Sequence, residues 1–145
     1  MKLVIQRVSR AAIRVDGETV GDIGLGLLVL VGLERDDDEN QIEKAARRIA
    51  TLRVFEDEDG RMNRGFDEVG GKVLAVSQFT LAGSIRKGRR PSFDRAMPSE
   101  KAAPRFDRFV ELLRGHGVEV ETGTFGAMME VELVNEGPVT LMWEC

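Results

Sequence analysis

The chain has 145 residues, 42% of them apolar and 32% charged, and carries a net charge of −4. That is the size and balance of one globular domain able to bury roughly 70% of its unfolded surface, and the acidic balance excludes a protein that coats nucleic acid along its length. One histidine, one cysteine and no tyrosine exclude an internal disulfide and leave few side chains for acid–base or metal chemistry.

Residues 3–8 alternate apolar and polar side chains and predict a strand. Residues 12–15 and 18–23 predict two short strands joined at Asp16-Gly17, a dipeptide suited to a tight hairpin. Residues 27–33 are continuously apolar between Gly26 and Glu34, the pattern of a strand buried on both faces. The period then changes. Ile42, Ala45, Ala46 and Ile49 recur at helical spacing, with acids at the start, Lys44, Arg47 and Arg48 later, and Asp38 as the expected N-cap. Residues 53–55 predict a short strand, 57–60 a polar turn, 72–79 another buried strand and 86–92 a loop. A second helix carries Phe106, Phe109, Val110 and Leu113 on one stripe; it starts either at a Ser99 cap or near Pro104, and Gly115 ends it. Residues 118–122, 129–135 and 139–143 predict three closing strands. No repeat, low-complexity segment or linker interrupts this order, which implies a single mixed α/β domain over 1–145 with helices covering a sheet.

Residues 1–7 lack the apolar stretch and cleavage site of a secretory signal, and no apolar run approaches the roughly 18 residues of a membrane span. With Cys145 alone, this leads us to expect a cytoplasmic protein with no membrane partner. Charge is uneven along the chain. Between positions 86 and 95 stand Arg86, Lys87, Arg89, Arg90 and Arg95 against the single acid Asp94, while acids gather at 34–39 and 56–59. A local basic loop on an acidic body suits a partner that presents a few phosphates; the plainer reading is a solvated loop.

The usual catalytic arrangements are missing. Nucleophilic triads need an imidazole beside the nucleophile. The lone imidazole is His116, in Arg114-Gly115-His116-Gly117, and reads as an exposed turn residue rather than a general base. No histidine pair stands at i, i+4, Cys145 has no partner, and no phosphate-cradling or dinucleotide glycine motif occurs, so neither a metal nor a cofactor is expected.

Two short words remain: Ser77-Gln78-Phe79-Thr80-Leu81 and Asn135-Glu136-Gly137-Pro138-Val139-Thr140. Each lies where an apolar β-type run meets polar residues, and each offers backbone groups and small polar side chains. The end of a buried strand leaves N–H groups that the sheet no longer uses, and such donors suit the oxyanion of ester hydrolysis. The plainer reading is a strand terminus with its hydroxyls satisfied by the turn and Phe79 in the core. Thr80 invites a nucleophile reading, yet its word contains no base to take the hydroxyl proton. In Gly137-Pro138 the glycine permits close backbone approach, and general preference favours a trans bond.

Together the two words resemble the signature of the D-aminoacyl-tRNA deacylases. Gln6-Arg7-Val8, the stretch 26–32, Arg61-Met62-Asn63 and Arg90-Pro91-Ser92-Phe93 match that family in order, so the resemblance runs the length of the chain. It implies a β/β/α layered, mostly antiparallel, barrel-like sheet covered by two main helices. It implies a pocket for the terminal adenosine of tRNA, shaped by Ser77 and Gln78, with the backbone of Phe79 and Thr80 facing the ester and with Phe125 and Met129 on its wall. Core packing alone would serve Met129 equally well. It further implies a homodimer in which a cis Gly137-Pro138 enters the partner's site. For a tRNA partner the basic loop makes Arg86, Lys87, Arg89 and Arg90 the expected contacts, although the stretch 83–87 is more basic than is typical of the family. The expected activity is hydrolysis of D-aminoacyl-tRNA, and of glycyl-tRNA mischarged on alanine tRNA, assisted by the ribose 2′-hydroxyl. The alternatives are a deacylase of altered chirality and a non-catalytic RNA-binding module.

Overall fold

A 14-residue strand, β1 (Lys2–Val15), forms the spine of the sheet. The computed structural model describes residues 1–86 and 88–145. In β1, Leu3 and Ile5 join the core beneath the helices, whereas Val8, Ala11 and Ile13 join a second core on the other side. The register against its neighbour shifts between Val8 and Arg10. An extra residue in a strand reverses which side chains face a given side. For that reason the alternation in sequence breaks, and what reads as two strands, 3–8 and 12–15, is one.

The turn at Asp16-Gly17, with φ of 50° and 84°, returns the chain as β2 (Glu18–Ile23), the expected hairpin. β3 (Gly26–Gly32) runs antiparallel to β1 and is nearly buried throughout, as its unbroken apolar run requires. Helix α1 (Glu39–Ala50) follows. Asp38 caps it by accepting from the backbone N–H of Asn40 and Gln41, while Gln41 Oε1 accepts from the N–H of Asp38. Ile42, Ala45, Ala46 and Ile49 are the buried stripe.

The hairpin of β4 (Phe55–Glu56) and β5 (Met62–Arg64), then a single helical turn α2 (Phe66–Val69), lead to β6 (Lys72–Ser77). Neither β5 nor α2 is apparent in the sequence, because each is too short to show a period. β6 runs parallel to β3, and β7 (Glu119–Thr122) parallel to β6. Helix α3 (Ser99–Gly115) lies between them in sequence. Its cap position is Pro98, so Ser99 is its first helical residue and not its cap; Pro104 sits inside. The chain ends with β8 (Glu130–Glu144), one 15-residue strand paired along β1, where the sequence predicts two.

The sheet order is β2-β1-β3-β6-β7, with β8 on the outer side of β1. It curls far enough that a Cβ built on Gly21 of β2 would stand 2.8 Å from the carbonyl oxygen of Thr122 on β7. The result is a nearly closed, mixed, barrel-like sheet. Val8, Ala11, Ile13, Ile23, Leu28, Leu74 and Val76 form one core on one of its faces. The larger core lies between the other face and helices α1 and α3. Among the described residues, no helix is long and apolar enough to cross a membrane.

Candidate functional site

β6 stops at Ser77, two residues before the end predicted from the sequence. The N–H of Gln78 still donates to the Val31 carbonyl of β3 at 2.8 Å. The chain then winds into a 3-10 turn, Phe79–Ala82, in which the N–H of Leu81 donates to the Gln78 carbonyl at 3.2 Å and that of Gly83 to the Thr80 carbonyl at 2.9 Å. The N–H groups of Phe79 and Thr80 come before the first amide so paired, and the opening amides of any helical turn lack a partner within it. Gln78 Nε2 donates to Thr80 Oγ1 at 2.5 Å, which ties the two polar side chains together. The Phe79 ring is 56% exposed, so it is not core.

This turn borders a cavity of about 660 Å³. Ser77, Gln78, Phe79 and Thr80 form one wall. Phe125, Gly126, Ala127, Met128 and Met129 form another, and Leu33, Met97, Ser99 and Ala102 also line it. The structure thus brings the first word together with both wall residues expected from the sequence. Phe125 packs against Phe106 of α3, ring centroids 6.3 Å apart. Met129 packs against the second core as well as lining the cavity, whereas Met128 stands 91% exposed at its edge. Gly123 leaves the room Met129 uses, since a Cβ there would lie 2.5 Å from its sulfur. Among the described residues, none that lines the cavity is ionisable. Among the described residues, the groups whose pKa values are displaced lie elsewhere: backbone N–H donors, Arg61's foremost, lower Asp57; Glu119 raises Lys72; Glu39 raises Arg108; and Arg10 with Arg14 lowers Glu132.

The second word is a bulge in β8. Gln6 pairs with Thr140 and Val8 with Asn135, so four residues, 136–139, stand opposite Arg7 alone. Side chains close its base. Asn135 Nδ2 donates to Thr140 Oγ1 at 2.9 Å, the N–H of Val139 donates to Asn135 Oδ1 at 3.0 Å, and Gln6 Nε2 donates to Thr140 Oγ1 at 3.2 Å. The Gly137–Pro138 bond is cis, against the general preference and as the resemblance implies. Gly137 and Pro138 are exposed and do not line the cavity of their own chain.

Arg7 carries this bulge. It is only 4% exposed. Its Nη1 donates to the Val54 carbonyl at 2.7 Å, Nη2 to Glu56 Oε1 at 3.0 Å and Nε to the Glu136 carbonyl at 3.3 Å. Sequence reasoning gave Arg7, Asn135 and Thr140 no role of their own. The signal was an arginine that continues the buried face begun by Leu3 and Ile5 in an alternating strand, where a charge is retained only with partners.

The basic loop leaves the body at a narrow neck, where Ser84 and Ser92 exchange backbone hydrogen bonds of 2.8 and 2.9 Å. Arg86, Arg89 and Arg90 are exposed beyond it. Lys87 lies outside the described residues. Arg95 turns away to Glu34 at 3.1 Å. His116 is exposed at the end of α3 and lines a different hollow, about 730 Å³, with Arg53, Asp67 and Glu119, which contains none of the predicted site residues. Among the described residues, no group of three or more His, Cys, Asp or Glu side chains is placed to hold a metal ion.

Residues 4–144 match the family model described as D-Tyr-tRNA(Tyr) deacylase. The D-aminoacyl-tRNA deacylase of Symbiobacterium thermophilum is 58% identical over 142 residues, covering 98% of this chain and 94% of that protein. That of Geobacter sulfurreducens is 55% identical over 142 residues, covering 98% and 93%. Among solved structures, the c-Myc DNA Unwinding Element Binding Protein superposes with a TM-score of 0.92 at 41% identity, covering 100% of this chain and 99% of the other. A probable eukaryotic D-amino acid tRNA deacylase shares the fold with a TM-score of 0.81 at 21% identity, covering 98% and 97%.

Proposed function

The chain belongs to the D-Tyr-tRNA(Tyr) deacylase family, and from that premise we propose that it hydrolyses the ester of D-aminoacyl-tRNA to free D-amino acid and tRNA, a proofreading step in translation. One observation carries the reading: the cavity unites Ser77, Gln78, Phe79 and Thr80 with Phe125 and Met129, and among the described residues none of its lining side chains is ionisable. A site so built must work through main-chain dipoles and through groups that the substrate brings.

In this mechanism the terminal adenosine enters the cavity and its ester carbonyl meets the N–H groups of Phe79 and Thr80. Water adds to the carbonyl carbon, and those amides stabilise the oxyanion; a donor so placed contributes about 3 kcal/mol to the transition state. The ribose 2′-hydroxyl, adjacent to the scissile 3′ oxygen, orients or activates the water. The C–O bond then breaks and the 3′ oxygen leaves with a proton. Ser77 and Gln78 shape the pocket, and the bond from Gln78 Nε2 to the Thr80 hydroxyl supports a positional role for that hydroxyl over a nucleophilic one.

Chirality is judged by a second copy of the chain. Gly137 and Pro138 stand exposed on a bulge that is held rigidly at its base and is remote from its own cavity lining. In a homodimer this bulge enters the partner's cavity, and its carbonyls leave no room for an L side chain. Glycine has no side chain to reject, so glycyl-tRNA, including that mischarged on alanine tRNA, is also cleaved. Phosphates near the acceptor end meet Arg86, Lys87, Arg89 and Arg90.

Ester loss from D-tyrosyl-tRNA and L-tyrosyl-tRNA tests the reading. Loss of the D ester alone is expected. Binding without loss would leave an RNA-binding module, and loss of the L ester would leave a deacylase of altered chirality.

A further inference from the structure

Phe79 is a large apolar side chain left more than half exposed at the cavity mouth, and its ring is held in place. It meets Phe93 with centroids 5.1 Å apart and planes inclined at 63°. Such edge-to-face pairs are attractive and orient both rings. Gly83 permits the approach, because a Cβ there would lie 2.8 Å from Phe93 Cε1. Phe93 directly follows Ser92, one half of the hydrogen-bonded neck of the basic loop. One ring is therefore anchored by the 3-10 turn and the other by the loop that carries Arg86, Arg89 and Arg90.

Aromatic faces beside cationic side chains are the usual means of holding an unpaired nucleic-acid strand. Each base offers a π-face to stack on, and the arginines meet the phosphates. We propose that the Phe79–Phe93 pair is a stacking platform for the nucleobase immediately 5′ to the terminal adenosine, with the loop arginines taking the adjoining phosphates. This rests on the deacylase reading, which puts the terminal adenosine in the cavity. The placement follows from chain continuity: once the last nucleotide occupies the cavity, the preceding one must leave past its mouth, where Phe79 is exposed and, through Phe93, adjoins the neck from which the cationic loop departs. The platform tolerates any base, so it would position the acceptor end without selecting among tRNAs.

The test uses an acceptor minihelix with 2-aminopurine in place of the penultimate base, whose fluorescence is quenched on stacking. Ester loss from the D-aminoacylated minihelix is followed in parallel. Wild-type protein should quench the probe. Phe93→Leu should weaken binding about tenfold and abolish the quench, Phe79→Leu should do the same, and Phe93→Tyr should retain both. A wild-type complex without quenching overturns the platform, as does a Phe93→Leu protein that binds and quenches like wild type. If the ring pair were instead a contact between subunits, Phe93→Leu would change the sedimentation of the free protein and leave the quench per bound probe intact, which also overturns it. Quenching without ester loss would remove the deacylase reading and leave the platform standing; ester loss without quenching would do the reverse.

Discussion

Gly32 at the end of β3 and Leu81 in the 3-10 turn are packed so closely that a Cβ on Gly32 would stand 2.7 Å from Leu81 Cβ. The same Cβ would lie 3.1 Å from the Gln78 carbonyl. Gly32 therefore sets how near the turn bearing the Phe79 and Thr80 amides can come to the sheet. Gly32→Ala should push that turn outward. Because small misplacements of reacting groups are costly, kcat/KM should fall about 100-fold, while Tm drops only a few degrees. Single-turnover deacylation and a thermal melt check this; an alanine variant with wild-type kcat would show that the turn does not position the chemistry.

Arg7 links the bulge at 136–139 to the Val54 carbonyl and the Glu56 carboxylate. A lysine cannot reproduce a fork of several fixed donors. Arg7→Lys should leave a buried carbonyl unpaired at a cost of about 1–3 kcal/mol, and it should release the bulge. Urea unfolding should report the first effect, and a lower ratio of D- to L-tyrosyl-tRNA cleavage the second. Unaltered discrimination in a destabilised variant would separate Arg7 from chirality.

Gly137 has a φ of +120°, and a Cβ there would meet Val139 Cγ2 at 2.9 Å and Arg7 Nη2 at 3.0 Å. Both the backbone conformation and the space exclude a side chain. Gly137→Ala should therefore reduce D-ester cleavage at least tenfold and raise L-ester cleavage from its background, read from the two esters side by side.

His116 lies away from the cavity, and among the described residues no lining side chain is an acid or a base. His116→Gln should leave kcat within about twofold of wild type. The pH–rate profile from 5.5 to 8.5 should superpose on that of the wild-type protein, with no inflection lost; an inflection that vanished with the imidazole would return a general base to the mechanism.

On the outer face of the sheet, Glu132 accepts from Arg10 Nη1 at 2.6 Å and from Arg14 Nη1 at 3.1 Å, and these bonds hold its carboxyl below the ordinary glutamate range. A lowered folded pKa means that the stabilisation is complete above the unfolded value, about 4.3, and is lost as pH falls through the folded one. The Tm deficit of Glu132→Gln should thus be present at pH 7, shrink in acid below the glutamate range, and diminish with added salt because the pair is exposed. A deficit independent of pH would assign the effect to packing.

The sheet was legible wherever period and burial agreed. The unbroken run before Glu34 is the doubly buried strand that it predicts, and Asp38 is the expected N-cap of α1; the reciprocal bond from Gln41 is added by the structure. Reading failed where geometry interrupts a pattern. The register shift after Val8 made one strand look like two, and the four-residue bulge opposite Arg7 did the same to β8. Phe125 and Met129, which the resemblance puts on the pocket wall, line the cavity beside Ser77–Thr80. The buttress at Arg7 was not legible, since two of its partners are main-chain carbonyls at Val54 and Glu136, which leave no trace in residue type, and the third, the Glu56 carboxylate, lies 49 positions away.

With no ionisable side chain among the described residues that line the cavity, the proposed mechanism takes the group that directs water from the substrate. We would compare hydrolysis of a 3′-linked D-aminoacyl-tRNA with that of the same ester on a tRNA ending in 2′-deoxyadenosine. The deoxy substrate should bind comparably and turn over at least about 100-fold more slowly, the size of a general acid–base contribution. Equal turnover of the two would contradict catalysis by main-chain amides and the ribose hydroxyl together.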